Sequence, residues 1–180
     1  LKSPPAGSLP VVAGLGGDFS LPRTDGTPFA LSSQRGKVVL LNFGFTQCPD
    51  ICPMVLLRLG NALRELERQD ADLSRVQPLF VTFDPERDTP EHLAQYVAHF
   101  HPSIIALRGD AGQVQQVARQ YKVVYLRQEQ DSAAGYVFQH SDYVYVLDSW
   151  GRVRLLVGSN DPEQALVAAV QKLLREEAPR

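Results

Sequence analysis

The fold is decided by one stretch of the chain, residues 37–53, which read KVVLLNFGFTQCPDICP. Its first part, Lys37–Phe45, is almost continuously apolar, which is typical of a strand buried on both faces of an α/β sheet. Beyond it, apolar residues recur at helical spacing over Met54–Arg68, with charged residues on the opposite face. The stretch therefore predicts a buried strand, then a loop with Cys48 and Cys52, then an amphipathic helix.

The rest of the chain alternates strands and helices before it ends in a hairpin and a helix. The predicted elements are an N-terminal hairpin over Phe19–Leu31, strands over Val76–Phe83, Ile104–Leu107, Lys122–Leu126, Gly135–Phe138, Tyr143–Leu147 and Val153–Val157, a polar loop over Gln128–Ser132, and helices that begin near Thr89, Asp110 and Asp161. This order predicts the α/β class and a thioredoxin-like fold with an extra N-terminal β-hairpin.

The chain is predicted to form one domain with a tether in front of it. A length of 180 residues suits a single domain, which we assign to residues 18–180. Residues 1–17 are rich in proline and glycine, which predicts a flexible linker. Because the chain begins at Leu1 rather than Met, we expect that an upstream segment was removed, which leaves room for an anchor or export signal.

The charge of the chain argues against nucleic acid and anionic membranes as partners. The formal net charge is -2, from 18 basic and 20 acidic residues. A nucleic-acid-binding or membrane-surface protein usually carries a basic excess or a polybasic stretch, and this sequence has neither. No apolar run approaches the roughly 20 residues of a membrane span.

The cysteine pair calls for a chemical explanation. Cys48 and Cys52 are the two cysteines of the chain, and two cannot form a disulfide framework for a domain of this size. A bridge between them would close a very short loop, where the entropic gain is smallest. Both lie between a strand end and a helix start, where the positive end of the helix dipole favours thiolate over thiol.

The spacing of the pair favours metal binding over disulfide exchange. Thiol-exchange enzymes use Cys-x-x-Cys, whereas three residues separate Cys48 from Cys52. Two thiolates one helical turn apart are suited to one soft ion, with Cu(I) preferred and Zn(II) the main competitor. Structural zinc takes four protein ligands, so copper with three is the simpler solution. His140 is the best candidate for the third ligand, against the alternative of a structural histidine.

Three segments together resemble the Sco (SCO/SenC) family. They are FGFTQCPDICP at residues 43–53, TFDPERDTP at residues 82–90, and His-Ser-Asp at residues 140–142. The resemblance implies a thioredoxin-like fold and copper ligands at Cys48, Cys52 and His140. It also implies that Asp84 supports the site as part of an acidic motif. Asp50, between the cysteines, either tunes them or forms a turn.

The same resemblance implies a function and a location. Family members are copper chaperones that deliver Cu(I) or Cu(II) to the CuA centre of cytochrome c oxidase during its assembly. The expected partners are the CuA-bearing subunit and another periplasmic copper chaperone. The expected location is the periplasmic side of the bacterial inner membrane or the mitochondrial intermembrane space. This chain would then be the soluble part of a membrane-anchored protein.

Two other functions remain open from the residues. A thiol–disulfide oxidoreductase would use Cys48 and Cys52 as a redox-active pair and reduce the cysteines of the copper-accepting partner. A peroxiredoxin-type peroxidase would need Thr46 and an arginine beside Cys48, a pattern that the second cysteine and the prolines fit poorly. We expect a metallochaperone rather than an enzyme.

Overall fold

The computed structural model of the chain describes residues 8–48, 51–131 and 135–176. The strands are β1 (Ser20–Pro22), β2 (Pro28–Ala30), β3 (Val38–Gly44), β4 (Val76–Thr82), β5 (Ile105–Leu107), β6 (Tyr125–Glu129), β7 (Tyr136–His140), β8 (Val144–Leu147) and β9 (Val153–Val157). The helices are α1 (Ile51–Arg68), α2 (Pro90–Phe100), α3 (Ala111–Gln120) and α4 (Glu163–Glu176). None of the helices in the described ranges is both long and apolar enough to cross a membrane.

A five-stranded mixed sheet forms the centre of the fold, in the order β5-β4-β3-β8-β9. Strand β3 runs parallel to β4 and antiparallel to β8, and all seven of its residues are buried. Its side chains alternate between two cores. Val38 and Leu40 pack with α1, α2 and α4, whereas Val39, Leu41 and Phe43 pack with α3 and the β1–β2 hairpin.

The α/β class, the thioredoxin-like fold and the N-terminal hairpin are therefore confirmed. The hairpin pairs Leu21 with Phe29, and both side chains are buried in the second core. Helix α2 begins as the sequence predicts, because the Thr89 hydroxyl accepts the backbone N–H of His92 and Pro90 lies in the first turn.

The structure places the hairpin β6–β7 differently from the sequence-based prediction. Strand β6 runs through Glu129, although the polar residues from Gln128 onward predicted a loop. These residues are extended because each is paired with a residue of β7, as Gln128 is with Val137. Cross-strand pairing therefore determines this element, not an apolar pattern.

Residues 8–17 pack against the domain, in contrast to the flexible tether expected for residues 1–17. The Val12 N–H donates to the Val153 carbonyl at 2.8 Å, and the Arg154 Nε donates to the Leu9 carbonyl at 2.7 Å. Leu9, Val12 and Leu15 cover the two cores, which explains why a segment rich in glycine is held in place. Residues 1–7 of the predicted tether lie outside the described part of the chain.

Candidate metal centre

The two cysteines lie where the central strand passes into the first helix. Cys48 follows β3 and precedes α1, and Cys52 is in the first turn of α1. The Cys52 side chain is buried, with 1% of its surface exposed, whereas Cys48 is partly exposed. The Cys52 N–H donates to the Cys48 Sγ at 3.4 Å. One sulfur is therefore enclosed and the other reaches the surface.

His140 completes a group of three side chains that could hold a metal ion. It is the last residue of β7, and its Nε2 lies 3.0 Å from the Cys52 Sγ and 4.0 Å from the Cys48 Sγ. The three ligand atoms all lie within 4.8 Å of one another. Within residues 8–48, 51–131 and 135–176, this is the one such group of His, Cys, Asp or Glu that is found.

The orientation of His140 presents a ring nitrogen to the sulfurs. Its Nδ1 lies 2.8 Å from the Ser141 carbonyl, and only a protonated Nδ1 can donate to that oxygen. Nε2 then carries the lone pair that a metal ligand needs. Phe45 and Phe83 hold the ring by edge-to-face contacts, with centroid separations of 5.8 Å and 5.1 Å.

The position of the cysteines at a helix start predicted that both would favour the thiolate form. The structure does not support this for Cys52. The hydrogen bond with Cys48 and then burial raise the pKa of the Cys52 thiol far above its usual value. The metal-free pair therefore retains a proton, which a bound metal must displace. Burial lowers the pKa of His140, but hydrogen bonds with Cys48 and the Ser141 carbonyl outweigh it, so the pKa lies above its usual value.

Asp88 holds the loop in front of Cys48. Its buried carboxylate accepts the Thr46 N–H at 3.1 Å and the hydroxyls of Thr46 and Thr82, each at 2.5 Å. Asp88 was not predicted to be a site residue. The available signal was its place in the TFDPERDTP segment, residues 82–90, which carries part of the family resemblance.

Asp84 lies in the same loop but contacts the hairpin that carries His140. Its carboxylate pairs with the Arg87 Nε at 2.6 Å and accepts the Tyr136 hydroxyl at 2.8 Å. The supporting role of Asp84 stays a prediction. Its contact with Tyr136 shows how it could act on His140, because Tyr136 and His140 both belong to β7. Asp50, the other predicted supporting residue, lies outside the described residues.

The remaining histidines lie apart from the ligand group. Of these, His92 and His99 are exposed on α2, whereas His101 is buried and only 4% exposed. Its Nδ1 accepts the Ser103 N–H at 3.2 Å, and its Nε2 lies 3.6 Å from Glu67. His92 reaches the Thr46 hydroxyl, with its Nε2 at 3.1 Å. The Thr46 hydroxyl is thus engaged with His92 and Asp88.

The chain matches the sequence model of the SCO1/SenC family over residues 10–175. The mitochondrial protein SCO2 of Saccharomyces cerevisiae is 38% identical over 171 residues, which cover 92% of this chain and 55% of that protein. The mitochondrial SCO2 homologue of Bos taurus is 42% identical over 166 residues, which cover 88% of this chain and 62% of that protein. This chain therefore spans little more than half the length of these relatives.

Solved structures show the same relationship. The crystal structure of Arabidopsis thaliana ScoI with copper bound matches with a TM-score of 0.81 and 36% identity, and the match covers 90% of this chain and 99% of that one. The sequence and structural matches extend over nearly all of the described residues. On this evidence, the chain belongs to the SCO1/SenC family.

Proposed function

We propose that this chain is a copper metallochaperone that binds one ion through Cys48, Cys52 and His140. The observation that carries the proposal is the convergence of two sulfurs and one imidazole nitrogen within 4.8 Å, from segments 88 residues apart. Thiolate and imidazole are ligands that suit copper, and thiolates favour Cu(I) in particular. The Arabidopsis relative, which is 36% identical, was crystallised with copper.

The arrangement suits release of the ion as well as its capture. Three protein ligands leave the ion with a low coordination number, so a partner's ligand can join before one of them leaves. Cys48 is partly exposed and His140 half-buried, whereas Cys52 is enclosed. We therefore propose that exchange begins at Cys48 and His140 and that Cys52 is released last.

The proposed acceptor is the CuA centre of cytochrome c oxidase, as the resemblance to the family implies. The relatives are named as mitochondrial proteins, which agrees with a place beside the respiratory chain. We propose that the parent protein is anchored in the inner membrane, with this domain in the intermembrane space or periplasm. Another copper chaperone of that compartment would supply the ion.

Copper titration of the reduced protein tests the binding proposal. We expect one Cu(I) per chain, measured against a chromogenic Cu(I) chelator, with large losses of affinity in Cys48→Ser, Cys52→Ser and His140→Ala. His99→Ala is the matched control, since His99 is exposed on α2. If His140→Ala binds copper as tightly as the parent, His140 is not a ligand.

Delivery needs an experiment of its own. Copper-loaded protein is mixed with the apo CuA domain of an oxidase subunit, and the CuA absorption bands are followed with excess chelator present. A chaperone forms the centre faster than chelator-buffered free copper does. If the CuA centre forms at the same rate from the copper-loaded protein and from chelator-buffered copper, the chain binds copper but does not deliver it.

A thiol–disulfide reductase is the second candidate, and the asymmetry of the cysteines favours it. The partly exposed Cys48, as a thiolate, can attack a partner's disulfide and release one partner sulfur as a thiolate. The buried Cys52 can then give its proton to that released thiolate and resolve the mixed disulfide. The products are the Cys48–Cys52 disulfide and a partner dithiol, so two electrons pass to the partner. His140→Ala separates the functions, because it should lose copper affinity and keep thiol exchange.

A further inference from the structure

The hairpin that carries His140 is not part of the central sheet. Strands β6 and β7 pair with each other in a two-stranded sheet of their own. Side chains on a strand alternate between its faces, so Tyr136, Phe138 and His140 share one face of β7. The position of His140 relative to the sulfurs therefore depends on how this face is held against the domain.

A cluster of four side chains fastens the far end of that face. Tyr136 donates its hydroxyl to the Asp84 carboxylate at 2.8 Å, and the Arg87 Nη1 donates to the Tyr136 carbonyl at 2.8 Å. The guanidinium groups of Arg87 and Arg127 lie 3.6 Å and 3.7 Å from the centroid of the Tyr136 ring. We call Asp84, Arg87, Arg127 and Tyr136 the Tyr136 cluster.

The strongest contacts of the Tyr136 cluster are shielded from water. The side chains of Asp84 and Arg87 are 2% and 17% exposed, so their charge-assisted hydrogen bonds are weakened little by solvent. Partial burial and the hydrogen bond to Asp84 raise the pKa of Tyr136 to about 12, so its hydroxyl remains a donor at neutral pH. By contrast, the ion pair between Arg127 and Glu86 has a nitrogen–oxygen distance of 3.8 Å and both side chains are exposed, so it adds little to the stability of the cluster.

Phe138 connects the cluster to the ligand. Its ring packs against Phe45 and Phe83 with centroid separations of 5.2 Å and 5.1 Å, and these two rings also hold His140. Four residues of strand span about 13 Å, so the cluster acts at a distance from the sulfurs. A change at Tyr136 can therefore alter the ligand set without contact to the metal.

We propose that Tyr136 is a positioning residue for the copper site, because its hydrogen bond to Asp84 keeps the hairpin docked with His140 facing the sulfurs. The inference rests on the proposed function of the site. When the bond is absent, the hairpin undocks more often, and the site then offers two thiolates and no imidazole. The apparent affinity for copper falls in proportion to the docked fraction.

The test is Tyr136→Phe, which removes the hydroxyl and keeps the ring between its neighbours. We expect the dissociation constant for Cu(I), measured by chelator competition, to rise about tenfold, as is usual when a group that orients a metal ligand is lost. Tyr125→Phe is the matched control. It lies on the same hairpin, and no hydrogen bond of its hydroxyl is found among the residues that the structure describes. Its affinity should equal that of the parent.

The same substitution made in the His140→Ala protein shows whether Tyr136 acts through His140. In His140→Ala, the further change Tyr136→Phe should leave the Cu(I) affinity unchanged, because the ligand that it positions is already gone. X-ray absorption of copper-loaded Tyr136→Phe should show a weaker nitrogen contribution than the parent. A role in stability alone would lower the affinity equally in both backgrounds.

The outcomes distinguish this inference from the proposed function. Two results would show that Tyr136 does not position His140: parent-like copper affinity in Tyr136→Phe, or an equal loss of affinity from Tyr136→Phe in the parent and in His140→Ala. Either result would leave the proposed copper site intact. If His140→Ala itself binds like the parent, the proposed ligand set is wrong and the inference is overturned with it.

Discussion

Gly44 is the position where a single methyl group should test the site and its packing together. Gly44 is the last residue of β3 and lies next to the Cys52 sulfur. A Cβ at this residue would lie 2.9 Å from the Phe80 ring and 3.1 Å from the Cys52 Sγ. Ordinary contacts of this kind are about 3.5–4.0 Å, so Gly44→Ala must displace the ring and the sulfur by roughly half an ångström.

The displacement sets the size of the expected effects. Overpacking of a buried site costs about 1–3 kcal/mol of unfolding free energy. Metal–ligand distances tolerate only about 0.2 Å of deviation, so a sulfur moved by half an ångström is out of place for copper. We expect Gly44→Ala to unfold at lower urea concentration and to bind Cu(I) at least about tenfold more weakly.

Gly60→Ala is the matched control for this experiment. Its Cβ would lie 2.6 Å from the Phe100 carbonyl oxygen, which is a clash of similar severity between α1 and the end of α2. We expect a loss of stability similar to that of Gly44→Ala, with the copper affinity of the parent. Equal copper affinities for Gly44→Ala and the parent would refute the claim that the Cys52 sulfur is held in a fixed ligand position.

Three further predictions concern other parts of the molecule. Asp88→Asn loses the carboxylate that holds Thr46, so the Cu(I) dissociation constant should rise about tenfold in chelator competition; an unchanged value would remove Asp88 from the support of the Cys48 loop. Burial lowers the pKa of His101, so the unfolded chain binds more protons, and the unfolding free energy should fall as pH drops through about 6.5. In urea titrations, His101→Gln should make the unfolding free energy depend less on pH in this range. An unchanged pH dependence would show that His101 is not its source. Arg154→Met breaks the buried pair with Asp148, whose closest atoms are 3.1 Å apart, and should lower the unfolding free energy by about 3 kcal/mol; a loss below about 1 kcal/mol would show that the pair is only as strong as a surface one.

The central strand and the cysteine loop were predictable because local patterns determine them. The apolar run over Lys37–Phe45 was confirmed as β3, and Cys48 and Cys52 lie at the predicted passage from strand to helix. His140 could be selected only through the resemblance of three distant segments, since no local pattern separates a ligand from a structural histidine. The structure then brings its Nε2 to 3.0 Å from the Cys52 sulfur.

Long-range contacts account for what the sequence did not predict. Leu9 is held by Arg154, 145 residues away, so composition alone predicted a tether. The raised pKa of the Cys52 thiol comes from its hydrogen bond with Cys48, whereas the helix-dipole argument considered each sulfur separately. The role of Tyr136 was not predicted, because its partners Asp84 and Arg87 lie some 50 residues earlier in the chain.

The most direct test of the central claim is the ligand environment of copper in the loaded protein. X-ray absorption of the reduced chain with one equivalent of Cu(I) should show two sulfurs and one nitrogen around each ion. His140→Ala should lose the nitrogen and keep both sulfurs. A parent spectrum with fewer than two sulfurs, or a nitrogen contribution that persists unchanged in His140→Ala, would contradict the assignment of Cys48, Cys52 and His140 as the copper ligands.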